Sequence, residues 1–340
     1  MDKVARLPQK ERDDLFNETA SRKNGISFSI IEKDFWVCWV LNKIFSLEQL
    51  HSNMIFKGGT SLSKVFNVIN RFSEDVDLSI SKECLGFKDK DYLSAKMSGK
   101  EIKRRLDDLQ IKCKEYITTE LFSLLENVFN DVLGKDLNWS LEIDPEDHQT
   151  VLFTYPRTKT REEKGQYIKP SVRLELGARS DHWPSSENSV ISFAAEEFPQ
   201  YFEEPTVTVK TLSLERTFWE KATLLHAEFH RPESSKLPPR FSRHYYDLAL
   251  MIQSGKVDAL LKDLSLLDTV REHKKLFYKS SWAKYDQAKK GTLRLAPKET
   301  RFSALKHDYQ LMQEMIYSSA PSFEEILGLL KSFEDKINAL

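Results

Sequence analysis

The sequence predicts an α+β protein in which residues 1–205 build a mixed β-sheet with flanking helices and residues 206–340 form a mainly helical C-terminal domain. Three observations predict it. Short segments that alternate apolar and polar residues, the period of a half-buried strand, recur through the first part of the chain. Apolar residues at helical spacing dominate from Ser213 onward. A chain of 340 residues also exceeds what one small hydrophobic core usually organises. With 40% hydrophobic and 30% charged residues but only 11 Gly and 12 Pro, the composition excludes collagen-like, low-complexity and mostly disordered classes.

In chain order, residues 9–22 and 28–47 read as helices, the second amphipathic through Ile30, Ile31, Phe35, Trp36, Trp39, Val40 and Leu41. An apolar run at 53–56 then meets Lys57-Gly58-Gly59-Thr60, and Ser61 opens a helical pattern carrying Leu62, Val65, Phe66 and Ile69. That is strand, tight turn, helix. The segment Asp75-Val-Asp-Leu-Ser-Ile80 alternates polar and apolar residues, so Asp75 and Asp77 point to one face of a strand. Apolar spacing from 99 to 133 predicts a packing helix, bent or split, that stops at Gly134. Strands follow at 139–143, 150–155, 168–177 and 206–211, with a loop at 180–189, and Ser213 is a plausible N-cap for the next helix. Helices then run to the end, interrupted at 231–240 and 290–300.

Cys38, Cys84 and Cys113 lack the paired spacing of zinc ligands, and the N-terminal residues lack the pattern of a secretory signal. The longest apolar stretch, around Phe35 to Leu41, is broken by Lys33, Asp34 and Lys43 and is too short to span a bilayer. Reduced thiols in a cytoplasmic protein, with no membrane partner, are expected.

Chemistry concentrates in two stretches. A glycine pair between strand and helix lets backbone amides approach phosphate closely, and Ser61 or Ser63 can supply a hydroxyl. Two aspartates at i and i+2 on one strand set two carboxylates side by side, which suits one or two Mg²⁺ ions bridging a triphosphate and an attacking oxygen. A lone Gly-Gly is most often a turn and a lone Asp-x-Asp most often a solvated strand edge. Their order and separation change the odds, because the second strand can lie beside the first. The combination resembles the signature of the DNA polymerase β-like nucleotidyltransferase superfamily, although Lys57 stands where an apolar residue is usual and the spacing is slightly longer.

Two more segments extend the likeness. Leu212-Ser-Leu-Glu-Arg-Thr-Phe-Trp-Glu-Lys-Ala-Thr-Leu-Leu-His226 and Ser242-Arg-His-Tyr-Tyr-Asp-Leu248, taken with Lys57-Gly-Gly-Thr-Ser-Leu62 and Arg71-Phe-Ser-Glu-Asp-Val-Asp77, resemble the four ordered motifs of the AbiEii/AbiGii toxin family. Residues 290–297 and 305–315 are similar to that family's tail. The resemblance implies a nucleotidyltransferase fold and a bacterial toxin–antitoxin or phage-defence enzyme. Position by position, it implies nucleotide and metal binding at Gly58, Gly59, Thr60, Ser61, Asp75 and Asp77, a phosphate-facing lysine at Lys221, and an aspartate required for activity at Asp247. Lys57 and Lys64 flank the turn as further cations for the nucleotide. The implied cofactor is Mg²⁺, or Mn²⁺ in its place, with a nucleoside triphosphate as substrate and a cognate antitoxin as partner.

Read from the residues alone, Lys221 emerges from a stripe shared with Phe218 and Leu225 and needs a partner, Asp247 being the obvious one. A third carboxylate commonly completes such a site, and Glu175, on the polar face of its strand with Arg173, is the best placed; a cross-strand ion pair is an equal reading. Arg71 and Glu74 flank the aspartates and could orient them, although capping or surface roles suit Glu74 better. His226 and His230 are spaced i, i+4 but lack the glutamate position of a zinc protease, so they read as core-edge or capping residues, and His244 lies beside Asp247.

The near-zero net charge of −1 is an average. Residues 271–301 hold ten basic side chains, among them Lys274, Lys275, Lys289, Lys290 and Arg294, against three acids, with Phe277, Tyr278, Trp282 and Tyr285 interleaved. Taken alone, a solvated helical face with buried aromatics is the better reading. Given a nucleotidyltransferase site, the pattern suits a polynucleotide acceptor, and the resemblance points to RNA, the transfer RNA 3′ end first. Nucleotidylation of a protein hydroxyl, or a silent nucleotide- or RNA-binding protein, remain the alternatives.

Overall fold

The computed structural model describes residues 1–23, 26–88, 92–157, 169–317 and 319–340, and divides into two compact units. The first comprises Met1–Val65, Phe72–Tyr92 and Arg104–Leu212; the second comprises Phe66–Arg71, Leu93–Lys103 and Ser213–Leu340.

The first unit is built on a seven-stranded mixed sheet with strands β1 (Met54–Lys57), β2 (Asp75–Ile80), β3 (Ser140–Ile143), β4 (Thr150–Thr154), β5 (Ser171–Gly177), β6 (Ser185–Ile191) and β7 (Thr206–Leu212). Their order is β3-β4-β5-β2-β1-β7-β6. β2 runs parallel to β5 and antiparallel to β1, and β1 runs parallel to β7. The α+β expectation is borne out. Two departures are instructive. Residues 185–189, expected as part of a loop, belong to an edge strand, Ser185–Ile191, paired along β7 from Ser185↔Leu212 to Ile191↔Thr206. Of its seven residues only Val190 is buried, so the apolar alternation that marks a strand is missing. Residue 168, expected to start a strand, lies outside the described residues, and β5 begins at Ser171.

Helices α1 (Asp2–Ala5), α2 (Gln9–Arg22), α3 (Phe28–Phe45), α4 (Glu48–Asn53) and α5 (Gly58–Lys64) precede β2. α3 is buried along nearly its whole length, and Ser27 caps it by accepting from the Ile30 N–H. Trp36 stacks on Tyr155 at 5.6 Å, and Trp39 packs on Phe129 at 4.7 Å, so the core lies between this helix, β4 and α7 (Phe122–Leu133). The long predicted helix is split: α6 (Gly99–Tyr116) passes through a π-helical turn at Ile117–Leu121 into α7. The short α8 (Phe193–Glu197) follows β6.

The second unit is helical: α9 (Leu214–His230), α10 (Ser242–Gln253), α11 (Ser265–Phe277), α12 (Phe302–Met312) and α13 (Phe323–Ala339). Ser213 caps α9 as expected, accepting from the Arg216 N–H at 3.2 Å. The predicted break at 290–300 is longer, running from Tyr278 to Lys298 with one 3₁₀ turn at Tyr285–Gln287. Buried His226 holds this irregular segment, one ring nitrogen meeting the Lys284 carbonyl at 3.1 Å and the other accepting the Arg294 N–H at 3.1 Å. Glu334 of α13 accepts the Leu295 N–H at 2.7 Å and pairs with Arg294 at 3.2 Å. Asp308 of α12 accepts the N–H groups of Arg240 and Ser242 at 2.7 and 2.8 Å and so caps α10 from outside.

Candidate active site

In the first unit, Asp75 and Asp77 sit on one face of β2, as the alternation predicts. Register places Arg173 of β5 beside Asp75 and Glu175 beside Asp77, while Lys57 of β1 lies across from Asp77 on the other side. Neighbours in register share a face, so three carboxylates and two cations occupy one patch of the sheet. Glu175, with 41% of its side chain exposed, faces the surface there. Among the described residues, no group of three or more His, Cys, Asp and Glu forms a ready metal cluster. A guanidinium sits among these carboxylates: Arg173 Nε lies 3.8 Å from Asp75 and 3.7 Å from Glu175, and its Nη1 lies 3.0 Å from Asp144.

The glycine turn lies against this patch. Gly58 has φ +80°, and a Cβ there would overlap the Asp77 carboxylate, coming within 2.6 Å of its Cγ and 2.9 Å of its Cβ. Glycine is therefore required twice, for the backbone and for the space that Asp77 fills. No side chain caps α5, whose N-cap is Lys57. Both hydroxyls of the turn are directed at backbone. Buried Thr60 donates to the Asp75 carbonyl, with the Ser73 carbonyl also at 3.2 Å, and Ser61 donates to the Gly58 carbonyl at 2.8 Å. Thr60 thus fixes the start of β2 to the glycine turn. Thr60→Val, which keeps the shape and deletes the donor, is expected to cost about 1–3 kcal/mol of stability in urea unfolding, with Thr60→Ser close to wild type; equal stability of the Val variant and wild type would refute the clamp.

Lys64 is corrected by the structure. Rather than lying free for a nucleotide, its ammonium is 2.7 Å from Asp34 and 4.0 Å from the Phe193 ring centroid, and its side chain is 8% exposed. Glu74 pairs with buried Lys33 at 3.0 Å. His182, which the sequence did not single out, has its Nε2 2.9 Å from the hydroxyl of Ser79, the next residue after Asp75 and Asp77 on that face. Burial, with Lys82 assisting, lowers its pKa to about 4, so it is a neutral hydrogen-bonding group at neutral pH.

In the second unit the expected Lys221–Asp247 pair is present at 2.8 Å, with Asp247 fully buried. Arg71, expected to orient the β2 aspartates, instead makes a two-pronged contact with Asp247, Nε to Oδ1 and Nη2 to Oδ2, both at 2.8 Å. Two buried cations share one carboxylate. Burial by itself raises the Asp247 pKa, but Arg71 and then Lys221 outweigh it and hold the carboxyl well below the usual range. Burial lowers the Lys221 pKa against the pull of Asp247. His244 lies with Nδ1 3.5 Å from Lys221 Nζ, and burial next to that cation keeps it neutral.

The cations of 271–301 are mixed in their surroundings. Lys289 and Lys290 are exposed. Lys275 pairs with Asp286 at 2.7 Å and Glu272 at 3.1 Å, and Arg294 is held by Glu334. Lys274 sits 4.3 Å over Tyr278, Arg231 sits 4.5 Å over Trp282, and Phe277 is buried. Tyr278, Trp282 and Tyr285 are half-buried.

The first unit thus carries paired aspartates beside a glycine turn on a mixed sheet, and the second a buried lysine–aspartate pair. Residues 39–338 match the family model described as nucleotidyl transferase AbiEii toxin, type IV toxin–antitoxin system, and the chain belongs to that family. The resemblance carried by the four motifs is borne out, and the protein is a nucleotidyltransferase of the toxin class. Among solved structures, MenT4, a nucleotidyltransferase toxin from Mycobacterium tuberculosis H37Rv, is similar at 13% identity and a TM-score of 0.40, over 96% of this chain and 98% of that one. No curated protein matches the sequence. Among the described residues, no helix is long and apolar enough to cross a membrane.

Proposed function

We propose that this toxin transfers a nucleoside monophosphate from a nucleoside triphosphate to an RNA acceptor, the 3′ end of a transfer RNA first, and releases pyrophosphate. The observation that carries the reading is the register that sets Asp75, Asp77 and Glu175 on one sheet face with the Gly58 turn against Asp77. This all-oxygen donor set fits a hard divalent cation. Asp75 and Asp77 would hold Mg²⁺, or Mn²⁺ in its place, with Glu175 as a third ligand or as the group that takes the acceptor's proton. When bound, the cation would offset triphosphate charge and polarise the phosphorus under attack.

The chain's own residues do the rest. Gly58, Gly59, Thr60 and Ser61 let backbone amides approach the phosphates, with Lys57 alongside. The family resemblance implies a phosphate role for Lys221, and its partner Asp247, shared with Arg71, neutralises only part of the two cations' charge. The acceptor hydroxyl oxygen forms a bond to the α-phosphorus as the bond to the pyrophosphate oxygen breaks. Charge more than ring stacking would then guide RNA, because Lys289 and Lys290 are exposed while Phe277 is buried and Tyr278, Trp282 and Tyr285 are only half-exposed. Lys274, Lys275 and Arg294 would add to that field. The reaction would run in the cytoplasm, where nucleoside triphosphates and transfer RNA are found, with a cognate antitoxin as partner.

The test is incubation with each labelled nucleoside triphosphate and total RNA. Label is expected in RNA with one nucleotide preferred, and an Asp75→Ala/Asp77→Ala double variant is expected to lose at least about a thousandfold of the rate. Label in protein would redirect the acceptor, and equal transfer by the double variant would sink the site.

A further inference from the structure

One cation on the carboxylate face has no part in the transfer reaction as proposed. Arg173 stands beside Asp75 in register, and its guanidinium is 34% exposed among three carboxylates. The contacts are unequal. Asp144 is reached at 3.0 Å, whereas Asp75 and Glu175 lie at 3.8 and 3.7 Å. Asp144 is itself held, its Oδ1 accepting the Glu146 N–H at 2.9 Å and its own N–H bonding the Thr150 carbonyl at 2.9 Å. Arg173 is therefore anchored on a fixed carboxylate beside the proposed metal ligands and reaches only loosely towards Asp75 and Glu175.

We propose that Arg173, anchored on Asp144, is an internal counter-ion whose guanidinium leans between Asp75 and Glu175 and turns away from them when a divalent cation binds there, so that metal affinity is set by competition with the guanidinium. The inference rests on the reading of Asp75, Asp77 and Glu175 as metal ligands. Its physical ground is simple. Carboxylates crowded on one face repel one another and need a positive charge, and a guanidinium and a divalent ion cannot both stand against the same oxygens without strong repulsion. The tether to Asp144 keeps the displaced guanidinium folded against the sheet. Arg173 is on this view a positioning residue, acting on the nucleotide only through the metal ligands.

The experiment is Mn²⁺ titration of the full chain by calorimetry, with no nucleotide present. Arg173→Gln is expected to bind Mn²⁺ about tenfold more tightly than wild type, with Arg173→Lys in between. Asp144→Asn, which loosens the anchor and leaves the guanidinium to the ligands, is expected to weaken Mn²⁺ binding several-fold, and to have under about twofold effect in the Arg173→Gln background. The Arg173→Gln chain without metal should also melt lower than wild type, with Mn²⁺ closing the gap. Unchanged or weaker Mn²⁺ binding by Arg173→Gln overturns the competition, as does an equal Asp144→Asn effect in both backgrounds. Mn²⁺ binding by an Asp75→Asn/Asp77→Asn variant as tight as wild type overturns instead the ligand reading on which the inference rests.

Discussion

Asp247→Ala is expected to lose about 3–5 kcal/mol of stability together with nucleotidyl transfer, the largest single-residue loss in the second unit. The side chain is fully buried and takes hydrogen bonds from Arg71 at 2.8 Å twice and from Lys221 at 2.8 Å. Removing it strands two buried cations, and an uncompensated buried charge costs far more than the pair itself contributes. That asymmetry gives a second measurement. Replacing the triad together, as Arg71→Met, Lys221→Met and Asp247→Leu, is expected to restore most of the stability while transfer stays absent, because the lysine and aspartate proposed for activity are gone. Urea midpoints read the first effect and labelled transfer the second; an Asp247→Ala chain within about 1 kcal/mol of wild type would contradict the buried triad. The pH dependence has a definite sign. The folded-state pKa of Asp247 is depressed below its unfolded value, so its contribution is full above about pH 4 and is lost as pH falls further through the folded value.

The triad also marks where sequence reading stops. Lys221 on a core-facing stripe demands an anion, and Asp247 was legible as that anion from its position in the next helix. Arg71 was not. It lies four residues before Asp75 and reads as an attendant of the β2 aspartates, yet its partner is 176 residues away, a separation on which local periodicity is silent. Lys64 misleads for a related reason: a lysine just after a glycine turn looks poised for phosphate, while the buried Asp34 that claims it comes from α3. What sequence does carry is period. Alternation put Asp75 and Asp77 on one face and Glu175 on the polar face of its own strand, and β2–β5 pairing sets these faces side by side. Where period is absent, as in the Ser-rich edge strand β6, strand formation depends on backbone pairing with β7 and no residue pattern announces it.

Gly58→Ala tests the closest steric coupling in the first unit, and Gly86→Ala is its matched control. Both glycines have positive φ, +80° and +85°, so an alanine costs about 1–2 kcal/mol of backbone strain at either. Their surroundings differ completely. A Cβ on Gly86 meets nothing within 4 Å, whereas on Gly58 it overlaps the Asp77 carboxylate and crowds the Asp77 Cγ at 2.6 Å and Cβ at 2.9 Å. Rotating the carboxylate relieves the first clash but not the Cβ contact, so β2 itself must shift away from the turn. A displacement near 1 Å at a reacting centre costs on the order of a hundredfold in rate. Gly86→Ala is therefore expected to lose about 1–2 kcal/mol with transfer preserved, and Gly58→Ala to lose more stability, through the added overlap, together with at least about a hundredfold in transfer. Single-turnover rates on folded protein separate the two. Retention of transfer by Gly58→Ala within a few-fold of wild type would mean that Asp77 is not held by the glycine turn, and the contact that couples the turn to the β2 aspartates would have to be sought elsewhere on β2.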